Sequence, residues 1–196
     1  MSLRQLKKQA TAQEILAAAK TLFLQQGFQA TRMPQIAAAA GVSRASLFNY
    51  YPGKQAILEA LAAEMETRLV QLVAHYREKY PLAPEALARL FAYAGQVLDQ
   101  TAGLTRLLYL EGNRTEGNRA NSPTDLQTQF ASLVAAGQRG GQWRNDLSAD
   151  ALGETLYLGF IAGLLDWCRE QDSPPQSCLS ARADTLNALL ARPQAG

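Results

Sequence analysis

One uninterrupted stretch of the chain restricts its fold more than any other. Residues 54–80 contain neither glycine nor proline, and apolar residues recur among them at three- and four-residue intervals. That spacing predicts one long helix, which Pro81 and Pro84 would end. The composition extends this interpretation to the whole chain, because 34 alanines and 30 leucines stand against 5 valines and 4 isoleucines. We therefore expect an all-α protein.

Further helices are predicted after the long one. The segments 85–100, 104–110 and 124–139 are separated by stretches that contain glycine, asparagine and proline. Residues 111–123 are expected to form a mobile loop, and a turn is expected at Gly140 and Gly141. A helix capped by Ser148 and a last helix over residues 181–191 would complete the chain.

The beginning of the chain has the signals of a separate helix. Thr11 and Glu14 match a capping box, in which each side chain bonds a free backbone N–H of the first turn. A helix is therefore expected to begin at Thr11. Apolar residues follow at helical spacing, and Gly27 permits the left-handed conformation that ends many helices.

Two short helices are predicted next, with a tight turn between them. The first covers residues 33–40, and Ser43 is positioned to cap the second, which runs to Tyr50. Gly41 permits the positive φ of the turn, so the pair predicts a helix-turn-helix. On the second helix Leu47 and Tyr51 are expected to face inward. The outer surface then contains Arg44, Ala45, Ser46, Phe48, Asn49 and Tyr50, types suited to reading DNA bases and holding phosphates.

Charge is unevenly divided along the chain. Residues 1–55 contain seven basic side chains and a single acid, Glu14, whereas the remainder contains 12 basic and 16 acidic side chains. A basic segment joined to an acidic one is typical of a polyanion-binding domain on a larger body. A solvated basic terminus explains Arg4, Lys7 and Lys8 equally well, so charge alone leaves both interpretations open.

The helix-turn-helix segment resembles the DNA-binding domain of the TetR family of transcriptional regulators. The resemblance covers about residues 10–60 and rests on Ile36-Ala37, on Ala40-Gly41-Val42-Ser43, and on a register that is kept through Lys54 to Leu58. It implies that the helix capped by Ser43 enters the major groove. The residues that it implies for DNA contact are Thr31, Arg32, Ser43, Arg44, Ala45, Ser46, Phe48, Asn49, Tyr50 and Lys54.

The resemblance also divides this set by role. Arg44, Ala45, Ser46 and Asn49 would lie nearest the bases, and phosphates would be held by Thr31, Arg32, Phe48, Tyr50 and Lys54. Three positions depart from the family pattern: Ala45 replaces the usual glycine, Phe48 the usual tyrosine, and Arg32 a common serine or threonine. We expect these departures to change affinity or sequence preference without abolishing binding.

The family resemblance implies two domains, 1–53 for DNA and 54–196 for effector binding and dimerisation. The helix capped by Ser148 is apolar on two faces, which favours a second subunit as partner, although a buried helix of a monomer fits the same pattern. The predicted interface consists of Leu152, Leu156, Gly159, Phe160, Gly163, Leu164, Trp167, Leu186, Leu189 and Leu190. Leu158, Ile161 and Leu165 form the other apolar face. The candidate effector pocket consists of Leu69, Phe91, Tyr93, Leu107, Leu108, Tyr109, Glu111 and Arg114.

Other classes of protein are disfavoured. The sequence has no phosphate loop, nucleophile elbow or metal-ligand cluster, and its one histidine, His75, restricts acid–base chemistry, so we expect neither an enzyme nor a cofactor. Cys168 and Cys178 match no metal or redox spacing. The absence of an apolar leader predicts a cytoplasmic protein. The resulting prediction is a homodimeric repressor that a small molecule releases from a palindromic operator; the alternatives are a helical interaction protein and an enzyme.

Overall fold

The computed structural model describes residues 2–112, 125–169 and 174–192, which contain eight α-helices. In chain order they are α1 Leu3–Gln26, α2 Met33–Ala39, α3 Arg44–Tyr50, α4 Lys54–Lys79, α5 Ala83–Gly112, α6 Asp125–Arg139, α7 Ala149–Arg169 and α8 Pro175–Leu190. The predicted all-α class is confirmed. None of the described helices is long and apolar enough to cross a membrane. Of the predicted loop 111–123, only residues 111 and 112 are described, and Arg114 lies outside the described residues.

Two helix starts differ from the predictions. The first helix begins at Leu3, not at Thr11, because Ser2 and Gln5 form a capping box of their own, with bonds of 3.3 and 2.7 Å. No glycine or proline follows before Gln26, so the helix continues through Thr11. The last helix begins at Pro175, six residues before the predicted start, since proline is tolerated in a first turn.

The two predicted segments 85–100 and 104–110 are parts of one helix. Helix α5 is continuous from Ala83 to Gly112 but departs from helical geometry at Thr101, where φ is −120° and ψ is 18°. The Thr101 hydroxyl donates to the Val97 carbonyl at 2.8 Å, a bond that often bends helices. The predicted break is therefore a kink.

The described residues form two compact units. The first consists of residues 2–65 with 103–112, and the second of residues 66–102, 125–169 and 174–192. Helices α4 and α5 each contribute to both units. The predicted division after residue 53 falls just before α4, whereas the compact units divide within α4 after Met65; as a division of function it stays a prediction.

The core of the first unit joins five helices. It contains Ile15, Leu16, Ala19 and Phe23 of α1, Ile36 and Ala37 of α2, Leu47 of α3, Ile57, Leu58 and Leu61 of α4, and Leu108 of α5. The Phe28 ring closes the end of α1 with an edge contact to Phe23 at 5.0 Å between centroids. The short helices α2 and α3 gain their stability from this shared burial, because helices of seven residues are marginal alone.

The second unit is built around α7. Phe160 contacts the rings of Phe91 and Phe130, at 5.2 and 5.9 Å between centroids. Glycines allow the close packing of neighbouring helices: a Cβ atom on Gly153 would lie 2.5 Å from the Ala131 backbone, and one on Gly159 would lie 2.9 Å from the Leu186 side chain. The predicted turn at Gly140 and Gly141 is confirmed, with a φ of +69° at Gly141.

Candidate nucleic-acid interface

The predicted helix-turn-helix is present in the first unit. Gly41 has a φ of +66°, and the Val42 amide donates to the Ala37 carbonyl at 3.0 Å, which closes the turn after α2. Ser43 caps α3 as predicted, because its hydroxyl oxygen accepts from the Ser46 amide at 3.0 Å. Leu47 is fully buried and fixes α3 against the core. The opposite side of α3 therefore faces outward.

This outward side contains the predicted base-reading residues. Arg44, Ala45 and Asn49 are exposed, and the Phe48 side chain keeps 50% of its surface accessible. Ser46 is half-buried, and its hydroxyl oxygen also accepts from the Ser43 hydroxyl at 3.0 Å. The surface of a single short helix thus presents a guanidinium, an amide and an aromatic ring to solvent.

Of the two tyrosines at the end of α3, Tyr50 is less accessible than predicted. Tyr50 and Tyr51 are both half-buried and pack against the core of the first unit. Burial raises the pKa of Tyr51, and the carboxylate of Glu64 raises it further. Tyr51 faces inward as expected, whereas only part of Tyr50 faces outward.

Thr31 does not present the predicted phosphate-binding hydroxyl. Its side chain is buried to 1% exposure, and the hydroxyl donates to the Gly27 carbonyl at 2.8 Å and accepts from Gln26 Nε2 at 3.2 Å. The threonine holds the connection between α1 and α2 together, so this part of the prediction is wrong for the side chain. Arg32, the next residue, is exposed at the N-terminus of α2, where its amide donates to Gln35 Oε1 at 2.8 Å.

The Lys54 side chain forms hydrogen bonds to backbone carbonyls of its own chain. The ammonium donates to the carbonyl oxygens of Phe28 at 2.6 Å and of Gln29 at 3.1 Å, and it lies 4.8 Å from the centroid of the Phe28 ring. Two of its three N–H donors are thereby used. In addition, Gln29 donates to Glu111 of α5 at 3.1 Å. The connection between α1 and α2 is consequently held by residues from two other helices, a role that the sequence did not indicate for Lys54.

The described candidate pocket residues are divided between the two compact units, and their pocket role stays a prediction. Leu108 is buried in the first unit, Leu107 packs against the same core, and Glu111 accepts the bond from Gln29. Tyr109, also half-buried, belongs to this unit as well. Leu69, Phe91 and Tyr93 belong to the second unit: Phe91 is buried against Phe160, Tyr93 packs against Tyr76, and Leu69 is half-buried.

Most of the residues predicted for the subunit interface are buried by their own chain. Exposures of 7% or less are found for Leu152, Leu156, Phe160, Leu164, Trp167, Leu186 and Leu190. Gly163 is buried and Gly159 half-buried, both against α8. A side chain already covered within one chain offers no surface to another, so this assignment is wrong for the buried residues. Leu189 of α8 remains exposed, at 58%.

The other apolar face of α7 is the one left uncovered. Leu158 is 55% exposed, and Ile161 and Leu165 are half-buried. These are the residues that the sequence pattern placed on a second apolar face.

The fold and the outward surface of α3 together define a helical protein with an N-terminal helix-turn-helix.

Comparison with known proteins finds a family that the N-terminal segment of this chain matches. Residues 15–61 match the family described as bacterial regulatory proteins, tetR family. The HTH-type transcriptional regulator AcrR of Shigella flexneri is 33% identical over 81 residues, which cover 41% of this chain and 38% of AcrR. The HTH-type transcriptional regulator RutR of Escherichia coli (strain K12) is 40% identical over 75 residues, which cover 38% of this chain and 35% of RutR. These matches thus span little more than a third of either regulator.

A solved structure extends the likeness over nearly the whole chain. Thermus thermophilus FadR, a TetR family transcriptional repressor in complex with lauroyl-CoA, superposes with a TM-score of 0.72 at 27% identity. The superposition covers 94% of this chain and 98% of FadR. Residues 15–61 of this chain thus match the tetR family of bacterial regulatory proteins, and the chain as a whole is similar in structure to a repressor of that family.

Proposed function

We propose that this protein is a homodimeric, sequence-specific DNA-binding repressor whose affinity for an inverted-repeat operator is lowered by a small-molecule effector. The observation that carries the proposal is the outward surface of α3, where Arg44 and Asn49 are exposed on a helix fixed by the Ser43 cap and by buried Leu47. Arginine donates two bonds to guanine and asparagine pairs with adenine in the major groove.

Phosphate contacts are proposed for the rim of this surface. Arg32 is exposed at the N-terminus of α2, and anions are favoured at such positions by the helix dipole. The Tyr50 phenol is only half-buried, and one N–H of the Lys54 ammonium is left after its two bonds to carbonyl oxygens. Phosphate contacts fix the register of the protein on the duplex, and the α3 side chains then read the bases.

The second subunit is proposed to cover the exposed apolar face of α7 together with Leu189 of α8. Close contacts of Gly159 with Leu186 and of Gly163 with Leu179 show that the two helices run antiparallel. In this register Leu158 and Leu189 lie at about the same level of the pair, and they are 55% and 58% exposed. Two such copies would bury a shared apolar surface and bring two α3 helices to an inverted repeat.

An organic effector is proposed to bind the second unit. FadR of T. thermophilus, which is 27% identical, has lauroyl-CoA bound, which supports a ligand-binding role for this chain. Leu69, Phe91 and Tyr93 remain the candidate contacts. The effector needs only to favour the conformation that does not bind DNA, by about 1–3 kcal/mol of coupling. The relatives are transcriptional regulators, and we propose a cytoplasmic regulator without enzymatic activity.

The test is selection of duplexes from a randomised pool by the full chain, followed by affinity measurements on the selected sequence at several salt concentrations. We expect an inverted repeat that binds far more tightly than a scrambled duplex. Arg44→Ala and Asn49→Ala should each cost about 1–3 kcal/mol on that site and relax the preference at particular bases. Leu82→Ala, at an exposed leucine between α4 and α5, is the control. Selection of no sequence would overturn the proposal.

A further inference from the structure

Phe48 is the one large apolar side chain on the outward surface of α3. Half of its surface is accessible, whereas Leu47 beside it is fully buried. Phe48 follows Arg44 by four residues, so the two side chains lie on the same side of the helix. Exposed in this way, the ring contributes little to the core of the first unit.

The chemistry of the ring limits what it can contact on DNA. Phenylalanine has no hydrogen-bonding group, so the ring cannot hold a phosphate oxygen as a tyrosine hydroxyl or an arginine does. Polar base edges covered by the ring would lose their bonds to water without replacement. Among the groups that the standard base pairs present in the major groove, the thymine 5-methyl is the largest apolar one.

We propose that Phe48 reads sequence by contacting a thymine 5-methyl group, in place of the phosphate-binding role that its position in the family pattern implies. This inference rests on the proposed function, since it requires α3 to enter the major groove. It adds thymine to a half-site in which Arg44 favours guanine and Asn49 favours adenine. Phe48 is then a specificity-determining residue.

The test replaces each thymidine of the selected operator in turn with deoxyuridine, which lacks only the methyl group. At one symmetric pair of positions, wild-type protein should bind the deoxyuridine duplex about fourfold more weakly per half-site, the effect of one buried methyl-sized group, and about fifteenfold more weakly for both. Phe48→Ala should bind the two duplexes equally. Phe48→Tyr, which keeps the ring, should still prefer thymidine.

Leu82→Ala controls for the loss of an exposed apolar side chain elsewhere and should keep the wild-type preference. Far-ultraviolet circular dichroism and affinity for scrambled DNA establish that Phe48→Ala is folded. Equal binding of both duplexes by wild type at every thymine would overturn the inference. A thymidine preference that survives in folded Phe48→Ala, or a selected half-site without thymine, would do the same. All three results leave sequence-specific binding intact, so they differ from failure of the proposed function.

Discussion

Lys54 is predicted to stabilise the connection between α1 and α2. The variant Lys54→Ala removes ammonium bonds of 2.6 and 3.1 Å to the carbonyl oxygens of Phe28 and Gln29, and a ring contact at 4.8 Å. Bonds from a charged group contribute about 1.5–3 kcal/mol, and an exposed cation–π contact about 0.5–1 kcal/mol. Lys54 is half-buried, and a cation in the first turn of α4 is disfavoured by about 0.3–1 kcal/mol. Solvent screening at this half-buried position reduces the two bonds together to about the value of one, so the expected net loss is about 2 kcal/mol.

The assay has to report on the first unit by itself. Both tryptophans, Trp143 and Trp167, belong to the second unit, so their fluorescence follows the wrong part of the chain. Hydrogen exchange at the Thr31 amide, which donates to the Gly27 carbonyl at 3.3 Å, follows local opening of the connection. A loss of about 2 kcal/mol corresponds to exchange about 30-fold faster.

Lys8→Ala is the matched control, because it removes the same charge from an exposed position near the beginning of α1. Its exchange at Thr31 should equal that of wild type. Unchanged exchange in Lys54→Ala would refute the reasoning from the two carbonyl bonds. Lys54 would then be left with the phosphate contact, whose removal lowers the salt dependence of DNA binding by about 0.9 in the log–log slope.

Three further outcomes are expected. Leu158→Glu should raise the dimer dissociation constant at least about 100-fold in sedimentation equilibrium, since the carboxylate would be desolvated at the proposed interface. Gly153→Ala should lower the free energy of unfolding of the second unit by about 1–3 kcal/mol in urea, because its Cβ would lie 2.5 Å from a backbone. Gly53→Ala, in the first unit and with nothing within 4 Å of its Cβ, should leave that free energy unchanged. The hydrogen bonds from Arg144 hold the pKa of the Asp146 carboxyl below its usual value. The pair therefore stabilises the fold at pH values above the usual pKa, and this stabilisation is lost as the pH falls through the lowered pKa. Arg144→Gln should return the pKa of Asp146, followed by NMR, to its ordinary range.

The helix-turn-helix could be predicted because its signals are local. A glycine with positive φ at Gly41 and a serine cap at Ser43 act within one turn of the chain, and both occur as expected. The same kind of signal misplaced the start of α1, since the sequence contains two capping boxes and only their order along an unbroken helix decides which one is used. Local chemistry identifies a cap but does not choose between competing caps.

The role of Lys54 could not be predicted from residue types. Its acceptors are the backbone carbonyls of Phe28 and Gln29, and every residue has such a carbonyl. The burial of Thr31 has the same origin, because its hydroxyl bonds the Gly27 carbonyl across one turn. Sequence reasoning assigned both residues by analogy to phosphates, whereas tertiary packing determines which polar groups reach solvent.

Helix α7 shows how two apolar faces can be ranked once packing energy is considered. Phe160 and Trp167 lie on the buried face, and Leu158 lies on the exposed one. Burial within a chain stabilises the fold at any protein concentration, whereas burial between chains depends on that concentration. The face with the larger aromatic area is therefore the better candidate for the protomer core. Applied to the sequence, this criterion assigns Phe160 to the core and leaves the face of Leu158, Ile161 and Leu165 for a second subunit.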